Sequence, residues 1–452
     1  MSTSSLELPI SATEQPASGV PLAVITCGVL VLAGAFTGLL NGVEPFATWF
    51  YQFAWFSVML IMDGTIAMMG AAGRKGEFLL LDRPRHLFSL LSWSAVVWIF
   101  YELLNFRLQN WYYVNLPVSL PIRWASTIIA FATVLPAVFL SFTLMRGFGV
   151  AEHTRWKSFS MEGRLHWLRI AGTFMMALVL VWPKYFYPLV WGATTLLVEP
   201  WVYRKSPERS LLHDLEHGKP GRLLRLLAGG VLIGFLWESL NIAARAKWIY
   251  TVPGLEDLKL FEMPLLGFLG FPPFTLECFV LWQAVVVAGV ALPRSEKRFP
   301  ASPLMRTFAP AAAALFCIGV MWQMDRQTIA SYSPSLDAVV GNSAAPLASA
   351  GLDVYQLAHA DATRLAQQLG VNEDSAASIV ERARLVTLRG IGTHYAAIMN
   401  QVGIHTIGDL AKADPHTLPA QMQQVAGEPI NSARVRIWVK GAKHAIARAA
   451  SN

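Results

Sequence analysis

HLFSLLSWSAVVWIFYELLNF, residues 86–106, is a run of 21 residues in which Glu102 is the single acid. As an α-helix, a run of about 20 apolar residues crosses the hydrocarbon core of a bilayer. Residues 222–244 form a second such run and carry Glu238. Of all 452 residues 54% are apolar and 14% charged, whereas soluble domains carry about 25% charged residues. The composition excludes soluble globular, disordered, collagen-like and disulfide-scaffold proteins and predicts an all-α polytopic membrane bundle.

Nine apolar runs are long enough to cross a bilayer. They lie at residues 21–43, 48–72, 86–106, 121–147, 165–182, 184–203, 222–244, 273–292 and 306–324. A tail (1–20) precedes them, and a linker rich in Ser, Ala, Pro and Gly (328–350) follows them. The chain ends in a domain of soluble composition (351–452). Only the turn Trp182-Pro183-Lys184 separates the fifth run from the sixth.

The charge of the loops predicts an orientation. With the N-terminus inside, 19 Lys and Arg residues fall in cytoplasmic loops and 6 in outer loops. Cytoplasmic loops carry the excess of Lys and Arg in membrane proteins. We therefore expect a multi-pass protein of the bacterial inner membrane with a cytoplasmic N-terminus and, after nine spans, a periplasmic C-terminal domain. One miscounted span would move that domain to the cytoplasm.

An internal duplication relates two four-helix units, 21–147 and 165–292. Polar and aromatic residues coincide at an offset of 136 residues, or 137 beyond one insertion. The pairs are Asp63 and Glu199, Glu102 and Glu238, Asn105 and Asn241, Trp111 and Trp248, and Tyr113 and Tyr250. Because each unit has four spans, both copies keep one orientation around a pseudo-twofold axis along the membrane normal.

The matched acids mark a candidate ligand site. An ionised carboxylate at mid-bilayer costs about 2.5–3.5 kcal/mol, so we expect these acids to face the bundle interior. Glu102 and Glu238 are predicted as the polar core of a pocket between the halves, and as proton donors if the protein is an enzyme. The predicted ligand contacts are Asn105, Trp111, Tyr113, Asn241, Trp248, Tyr250, Glu262 and Glu277. The inner acids Asp63 and Glu199 predict a polar path through each half.

A second interpretation of the same residues needs no ligand. Glu and Asn pairs also hydrogen-bond neighbouring helices, and Trp and Tyr at span ends form the interfacial belt. The segment FEMPLLGFLGFPPF (261–274) is apolar and broken by Gly and Pro. Such a segment is tolerated at membrane depth where it packs on protein or lines a cavity. We predict either a cavity wall or an interfacial lid there.

The order Glu-x-x-Asn, Trp-x-Tyr and a Pro-containing apolar re-entry resembles the heterodimeric lycopene cyclases, a family of small membrane carotenoid cyclases. The resemblance covers residues 90–115 and 235–280. It implies a repeated unit of three or four helices, intramembrane acids that protonate a polyene, and a polyisoprenoid-like ligand. The acids that directly follow the Pro in that family are absent, because Pro264 is followed by Leu, Leu and Gly.

The C-terminal domain is predicted to consist of short helices. Its segment LVTLRGIGTHYAAIM (385–399) closely resembles a helix-hairpin-helix unit, in which Gly390 and Gly392 would form the tight turn. A Leu-Ala-x-Ala-Asp motif at 357–361 recurs at 410–414, which indicates a tandem unit. In DNA-binding members a Lys or Arg after the hairpin meets phosphate, but here Thr and His follow. We predict protein docking or self-association through this domain, with DNA less favoured.

Neither a cofactor nor a metal site is predicted. His213, Glu216 and His217 fit the H-x-x-E-H pattern of inverted zinc proteases, but they lie in a short loop and are interpreted as a solvated helix. Three functions stay open. The leading one is binding of a small or lipidic, isoprenoid-like ligand between the halves. The others are a non-catalytic membrane anchor or assembly subunit that acts through the C-terminal domain, and a proton-linked transporter.

Overall fold

The computed structural model describes residues 19–252, 258–295, 297–341 and 344–451, and it confirms an all-α bundle of the membrane class. Most of the predicted N-terminal tail lies outside the described residues. The α-helices are α1 (Val20–Leu40), α2 (Phe50–Met69), α3 (Pro84–Leu108), α4 (Leu120–Ala132), α5 (Val134–Gly147), α6 (Leu165–Val181), α7 (Pro183–Phe186), α8 (Val190–Lys205), α9 (Leu211–Glu216), α10 (Gly221–Ala243), α11 (Phe271–Val287), α12 (Pro303–Gln327), α13 (Leu336–Val340), α14 (Ala344–Ser349), α15 (Val354–Leu357), α16 (Ala362–Leu369), α17 (Glu373–Thr387), α18 (Gly392–Gln401), α19 (Ile407–Lys412), α20 (Leu418–Ala426) and α21 (Ser432–Ser451). The strands are β1 (Trp111–Val114), β2 (Lys247–Tyr250), β3 (Lys259–Leu260) and β4 (Met263–Pro264).

Eight helices of the described chain are long and apolar enough to cross a membrane. They form because a helix satisfies its backbone hydrogen bonds internally, which a bilayer requires of any spanning segment. Their bounds are Val20–Leu40, Phe50–Met69, Pro84–Leu108, Leu120–Gly147, Glu162–Val181, Gly221–Ala243, Leu265–Val287 and Pro303–Gln327.

The predicted sixth span, 184–203, is not one continuous helix. It is divided into α7, a 3₁₀ turn over Tyr187–Leu189, and α8. Pro183 begins the first piece, and Pro188 is the second residue of the 3₁₀ turn. Helix α8 is kinked near its start, where Gly192 has a φ of 150° that L side chains rarely adopt. Proline and positive-φ glycine interrupt the helical hydrogen-bond ladder, so the apolar composition alone overestimates the continuity of this segment.

The interrupted segment still crosses the bundle. The Arg107 guanidinium donates to the carbonyl of Leu180 at 2.8 Å, so α6 ends beside the end of α3. Helix α8 continues into α9, and Gly218 follows α9. The carbonyl of Gly218 accepts from the backbone N–H of Trp156, which lies in the loop before α6. Within the described residues, this broken segment therefore runs between the two ends of the bundle, beside the eight long helices.

The duplication is visible in the packing. Helix α1 packs on α2 as α6 packs on α8, and α2 contacts α5 as α8 contacts α11. Strands β1 and β2, which follow α3 and α10, pair antiparallel with Trp111 opposite Tyr250 and Tyr113 opposite Trp248. Since Trp111 corresponds to Trp248 and Tyr113 to Tyr250, this register is the one that a twofold axis between the strands requires.

The C-terminal domain has its own core and sits on the end of the bundle that carries β1 and β2. Trp438, Leu357 and Met399 are fully buried within this core. The predicted linker 328–350 contains α13 and α14, and its first residues extend the β1–β2 pair through bridges at Ile329 and Tyr332. The described part of the predicted linker is therefore helical in two places and pairs with the bundle at its start.

Candidate functional site

A cavity of about 440 Å³ lies between the two halves, next to the β1–β2 pair. Its walls come from α2, α3, β1 and α4 of the first half, and from the α7–α8 segment, α10, β2 and the 263–274 segment of the second. Most of the large side chains on its walls are aromatic. They are Trp49, Tyr51, Trp98, Trp111, Tyr113, Phe131, Tyr187, Trp191, Trp237, Trp248, Tyr250, Phe271 and Phe274.

Among the described residues, Glu238 is the single carboxylate on the wall of this cavity. Its Oε1 accepts hydrogen bonds from the Tyr250 hydroxyl at 2.9 Å and from the Trp248 indole N–H at 3.2 Å. Burial raises the pKa of Tyr250 well above its ordinary value, so the hydroxyl stays protonated and donates. Asn241, predicted as a ligand contact, instead holds the backbone of Trp248 through both ends of its amide.

Glu102 repeats this arrangement in the first half. Its Oε1 accepts from the Tyr113 hydroxyl at 2.5 Å and from the indole N–H groups of Trp111 at 2.9 Å and Trp98 at 3.0 Å. The Asn105 amide donates to the Trp111 carbonyl at 2.9 Å. In both halves the Asn therefore fixes the strand, and the strand presents its Trp and Tyr to the Glu.

The two copies differ in access to the cavity. Trp98 supplies the third donor to Glu102, and the residue 136 positions later is Gly234, which supplies no side chain. Glu238 lines the cavity and Glu102 does not. The predicted pocket with two Glu and Asn pairs is therefore asymmetric, with one carboxyl group facing the ligand space and the other covered by Trp98.

Each of these carboxyl groups keeps one buried oxygen without a hydrogen-bond partner. Both glutamates are fully buried, and within the described part of the chain no donor reaches Oε2 of Glu102 or of Glu238. Buried polar atoms are nearly always satisfied in folded proteins. Of the two orphaned oxygens, that of Glu238 belongs to the residue that lines the cavity.

Glu277 stabilises the kink of α8. Its Oε1 accepts from the backbone N–H groups of Gly192 at 2.7 Å and Thr194 at 2.9 Å, and its Oε2 accepts from the Tyr101 hydroxyl. The carboxylate thus takes the place of carbonyls that the broken helix lacks. Glu277, predicted as a ligand contact, is not on the cavity wall.

The two acids that were predicted to form a polar path each accept hydrogen bonds from the backbone of a loop instead. Asp63 accepts from the backbone N–H groups of Leu79 at 2.6 Å and Leu80 at 3.1 Å. Glu199 accepts from the Ser210 hydroxyl at 2.7 Å and from the N–H of Leu212 at 3.1 Å. Each acid thereby holds the loop before α3 or α10, and this arrangement gives no support to a continuous path.

Glu262 joins the membrane bundle to the C-terminal domain. Its carboxylate is fully buried and pairs with Arg389 at 2.5 Å and with Lys247 at 3.4 Å. Burial lowers the pKa of Lys247, and the charge of Glu262 opposes that shift. Glu262 was predicted to contact a ligand, but both of its partners are cations of the protein itself. One of them, Arg389, reaches it from the C-terminal hairpin.

The predicted hairpin glycines face the bundle. A Cβ atom on Gly390 would lie 2.3 Å from Cβ of Val114 in β1, and one on Gly392 would lie 2.6 Å from Cβ of Ser331. Both glycines have positive φ, 66° and 72°, which suits the turn between α17 and α18. The turn that would meet phosphate in a DNA-binding unit is covered by this chain's own strand.

His213, Glu216 and His217 form the one cluster of described His, Cys, Asp and Glu residues with the spacing of a metal site, their ligand atoms lying within 4.8 Å of one another. Glu216 already accepts from the Tyr203 hydroxyl at 2.5 Å and the Met161 N–H at 2.9 Å, and the Tyr203 bond lowers the pKa of Glu216. Burial lowers the pKa of His213. The cluster ties α9 to the loop before α6.

Several cavity residues were missed from the sequence. Tyr51, Trp191 and Trp237 line the cavity, yet each lies in an apolar run where an aromatic residue is ordinary. Phe271 and Phe274 also line it, and they belong to the segment 261–274, for which a cavity wall was one of the two predictions. Trp237 carried a usable signal, because it directly precedes Glu238.

Comparison with known proteins covers only the C-terminal domain. No curated protein and no solved structure matches the chain. The matched residues, 343–452, begin after the last long apolar helix. By sequence, this C-terminal domain is similar to the family described as a domain of unknown function, DUF4332.

Proposed function

We propose that this chain is an integral membrane protein that binds one small, mostly apolar ligand in the cavity between its two halves. The observation that carries the proposal is the cavity of about 440 Å³ with aromatic walls and, among the described residues, a single buried carboxyl group, that of Glu238. Small-molecule sites have this character, a concave apolar surface with few polar groups and a volume of about 300–1,000 Å³.

The position of the cavity favours a ligand that is dissolved in lipid. Leu266 and Leu269 belong to the 263–274 wall and are 59% and 70% exposed. In a membrane-spanning bundle, exposed leucine faces acyl chains. A lipidic or isoprenoid-like molecule can therefore approach this wall from the bilayer.

Binding is better supported than catalysis. A proton-donating pair would need both glutamates in the ligand space, but Glu102 is covered by Trp98. Glu277 is occupied at both oxygens. The resemblance to lycopene cyclases thus contributes the idea of an isoprenoid-like ligand, while cyclase chemistry finds no second acid in the cavity.

We further propose a bacterial inner-membrane location with the C-terminal domain on the periplasmic side. That domain packs at the end of the bundle where β1 and β2 lie, and the loops at that end hold few Lys and Arg residues. The helix-hairpin-helix resemblance agrees with the short turn between α17 and α18.

An assembly subunit is the second candidate, and the docked C-terminal domain favours it. Gly390 and Arg389 are both engaged by the membrane bundle, so a protein partner or a second copy would bind the opposite face. DNA binding through the hairpin would require the domain to leave the bundle.

The test is extraction into native lipid discs, followed by mass spectrometry of the molecules that co-purify. The variant Ala130→Phe fills the cavity wall, and Ile129→Phe on the same helix is the matched control, since Ile129 is 39% exposed and does not line the cavity. We expect one stoichiometric small molecule in the wild type and the control, and its loss in Ala130→Phe. Bulk phospholipid alone in all three would contradict the proposal.

A further inference from the structure

We propose that the ligand of the cavity carries a cationic, ammonium-type head that meets Oε2 of Glu238. This inference rests on the proposed function and names the ligand class of the same site. It follows from three observations: the unused oxygen of Glu238, the charges along the cavity wall, and the aromatic rings around the carboxyl group.

The hydrogen bonds of Glu238 leave one direction open. Tyr250 and Trp248 both donate to Oε1, while Oε2 has no partner among the described residues. A cation or a further donor stabilises a buried carboxylate that has one unsatisfied oxygen, and the cavity is the free space beside Glu238.

The charges on the wall select the sign of the ligand. Lys247 is the one basic residue on the described cavity wall, and its ammonium group pairs with Glu262 at 3.4 Å and donates to the Ile242 carbonyl at 3.0 Å. No described Lys, Arg or His forms an ion pair with Glu238 within 4.0 Å. Lys259, which donates to the Tyr250 carbonyl at 3.2 Å, also acts on the charge of Glu238, but it is not on the cavity wall. Along the described cavity wall Glu238 is therefore the charged group without an ion-pair partner, so an anionic head would be repelled and a cationic head attracted.

The rings beside Glu238 suit a cation as well. The Tyr51 and Trp248 rings pack edge to face with centroids 5.1 Å apart, and Trp237 lies 6.0 Å from Phe271. All four rings are on the cavity wall. Aromatic faces within about 6 Å attract a cation, and several together with a carboxylate recognise alkylated ammonium groups.

The first half provides an internal control. Glu102 has the same strand partners as Glu238, but Trp98 covers it, whereas Gly234 stands at the corresponding position of the second half. Both copies of the duplicated unit therefore contain the hydrogen-bonded Glu, but only the copy in the second half, Glu238, faces the cavity. This difference separates binding from the structural role that both copies share.

The experiment compares two probes of equal chain length in lipid discs that hold the full chain. One is decyltrimethylammonium, and the other is the neutral molecule in which a quaternary carbon replaces the nitrogen. Native mass spectrometry gives the ratio of bound cation to bound neutral probe. The variants are Glu238→Gln and the matched control Glu102→Gln, in which the amide oxygen still accepts from the indole and phenol donors.

We expect the wild type and Glu102→Gln to favour the cation by about tenfold, and Glu238→Gln to bind both probes equally. Equal binding of both probes to the wild type would overturn the inference, while the proposed apolar site would stand. The proposed function would be overturned if the wild type bound neither probe and Ala130→Phe also left the co-purified molecules unchanged. A preference that Glu238→Gln retains would place the cation elsewhere and would also overturn the inference.

Discussion

Docking of the C-terminal domain on the bundle depends on the absence of a side chain at Gly390. Ordinary contacts between a Cβ atom and a neighbouring carbon begin at 3.4 Å, but a Cβ on Gly390 would lie 2.3 Å from Val114. The variant Gly390→Ala therefore forces the turn and β1 apart by about 1 Å. Such overpacking costs about 1–3 kcal/mol, which raises the undocked population about 5- to 150-fold.

Backbone strain must be separated from this contact. Gly390 has a φ of 66°, and alanine there also costs about 1–2 kcal/mol within the domain itself. Gly427 is a matched control, since its φ is 67° and a Cβ on it would meet nothing within 4 Å. Both variants lower the free energy of unfolding of the domain, but only Gly390→Ala weakens docking.

Hydrogen exchange measures the two effects. In Gly390→Ala we expect faster exchange of the β1 amides and of the 329–333 segment that bridges to β1, and in Gly427→Ala we expect these amides to exchange as in the wild type. Equal exchange of β1 in both variants would refute the account of docking. Slower exchange in Gly390→Ala would do so as well.

Three further predictions concern the carboxylates of Asp63 and Glu216 and the kink of α8. Asp63→Asn should lower the free energy of unfolding by about 1–3 kcal/mol, because an amide has one acceptor oxygen for the Leu79 and Leu80 N–H groups where the carboxylate has two. Thermal unfolding in detergent measures this change. Proton flux in liposomes that disappears in this variant would instead support a transporter. Gly192→Ala should destabilise the α8 kink by about 1–3 kcal/mol and reduce retention of the co-purified molecule, and unchanged stability would show that the kink is not strained. The pKa of Glu216 is lowered in the fold, so its contribution to stability is present above about pH 4.3, its unfolded value, and is lost as the pH falls through the lower folded value. Hydrogen exchange of the Met161 amide should rise in that pH range. The variant Glu216→Gln should remove this pH dependence.

Much of the membrane bundle could be predicted because its signals are local. Apolar length gave the long helices, and the duplication paired Trp111 with Trp248 and Tyr113 with Tyr250, an equivalence that matches the register of β1 and β2. The asymmetry of the site was also present in the sequence, in the contrast between Trp98 and Gly234, but its meaning depends on which face of each helix meets the cavity.

The remaining contacts join distant parts of the chain. Glu277 meets Gly192, 85 positions earlier, and Glu262 meets Arg389, 127 positions later. A buried acid in an apolar run predicts that some partner exists, since an unpaired charge in a membrane is costly. It does not predict whether that partner is a ligand, a broken helix or a second domain. The acids were therefore correctly expected inside the protein, while several of their partners were not foreseen.

We propose that the cavity beside Glu238 holds a ligand. A map of the protein in native lipid discs by electron cryomicroscopy tests it most directly. We predict continuous density within the cavity of about 440 Å³ that ends at Oε2 of Glu238, bounded by the rings of Tyr51 and Trp248. A cavity without such density, or one closed by the rings that line it, would contradict the account.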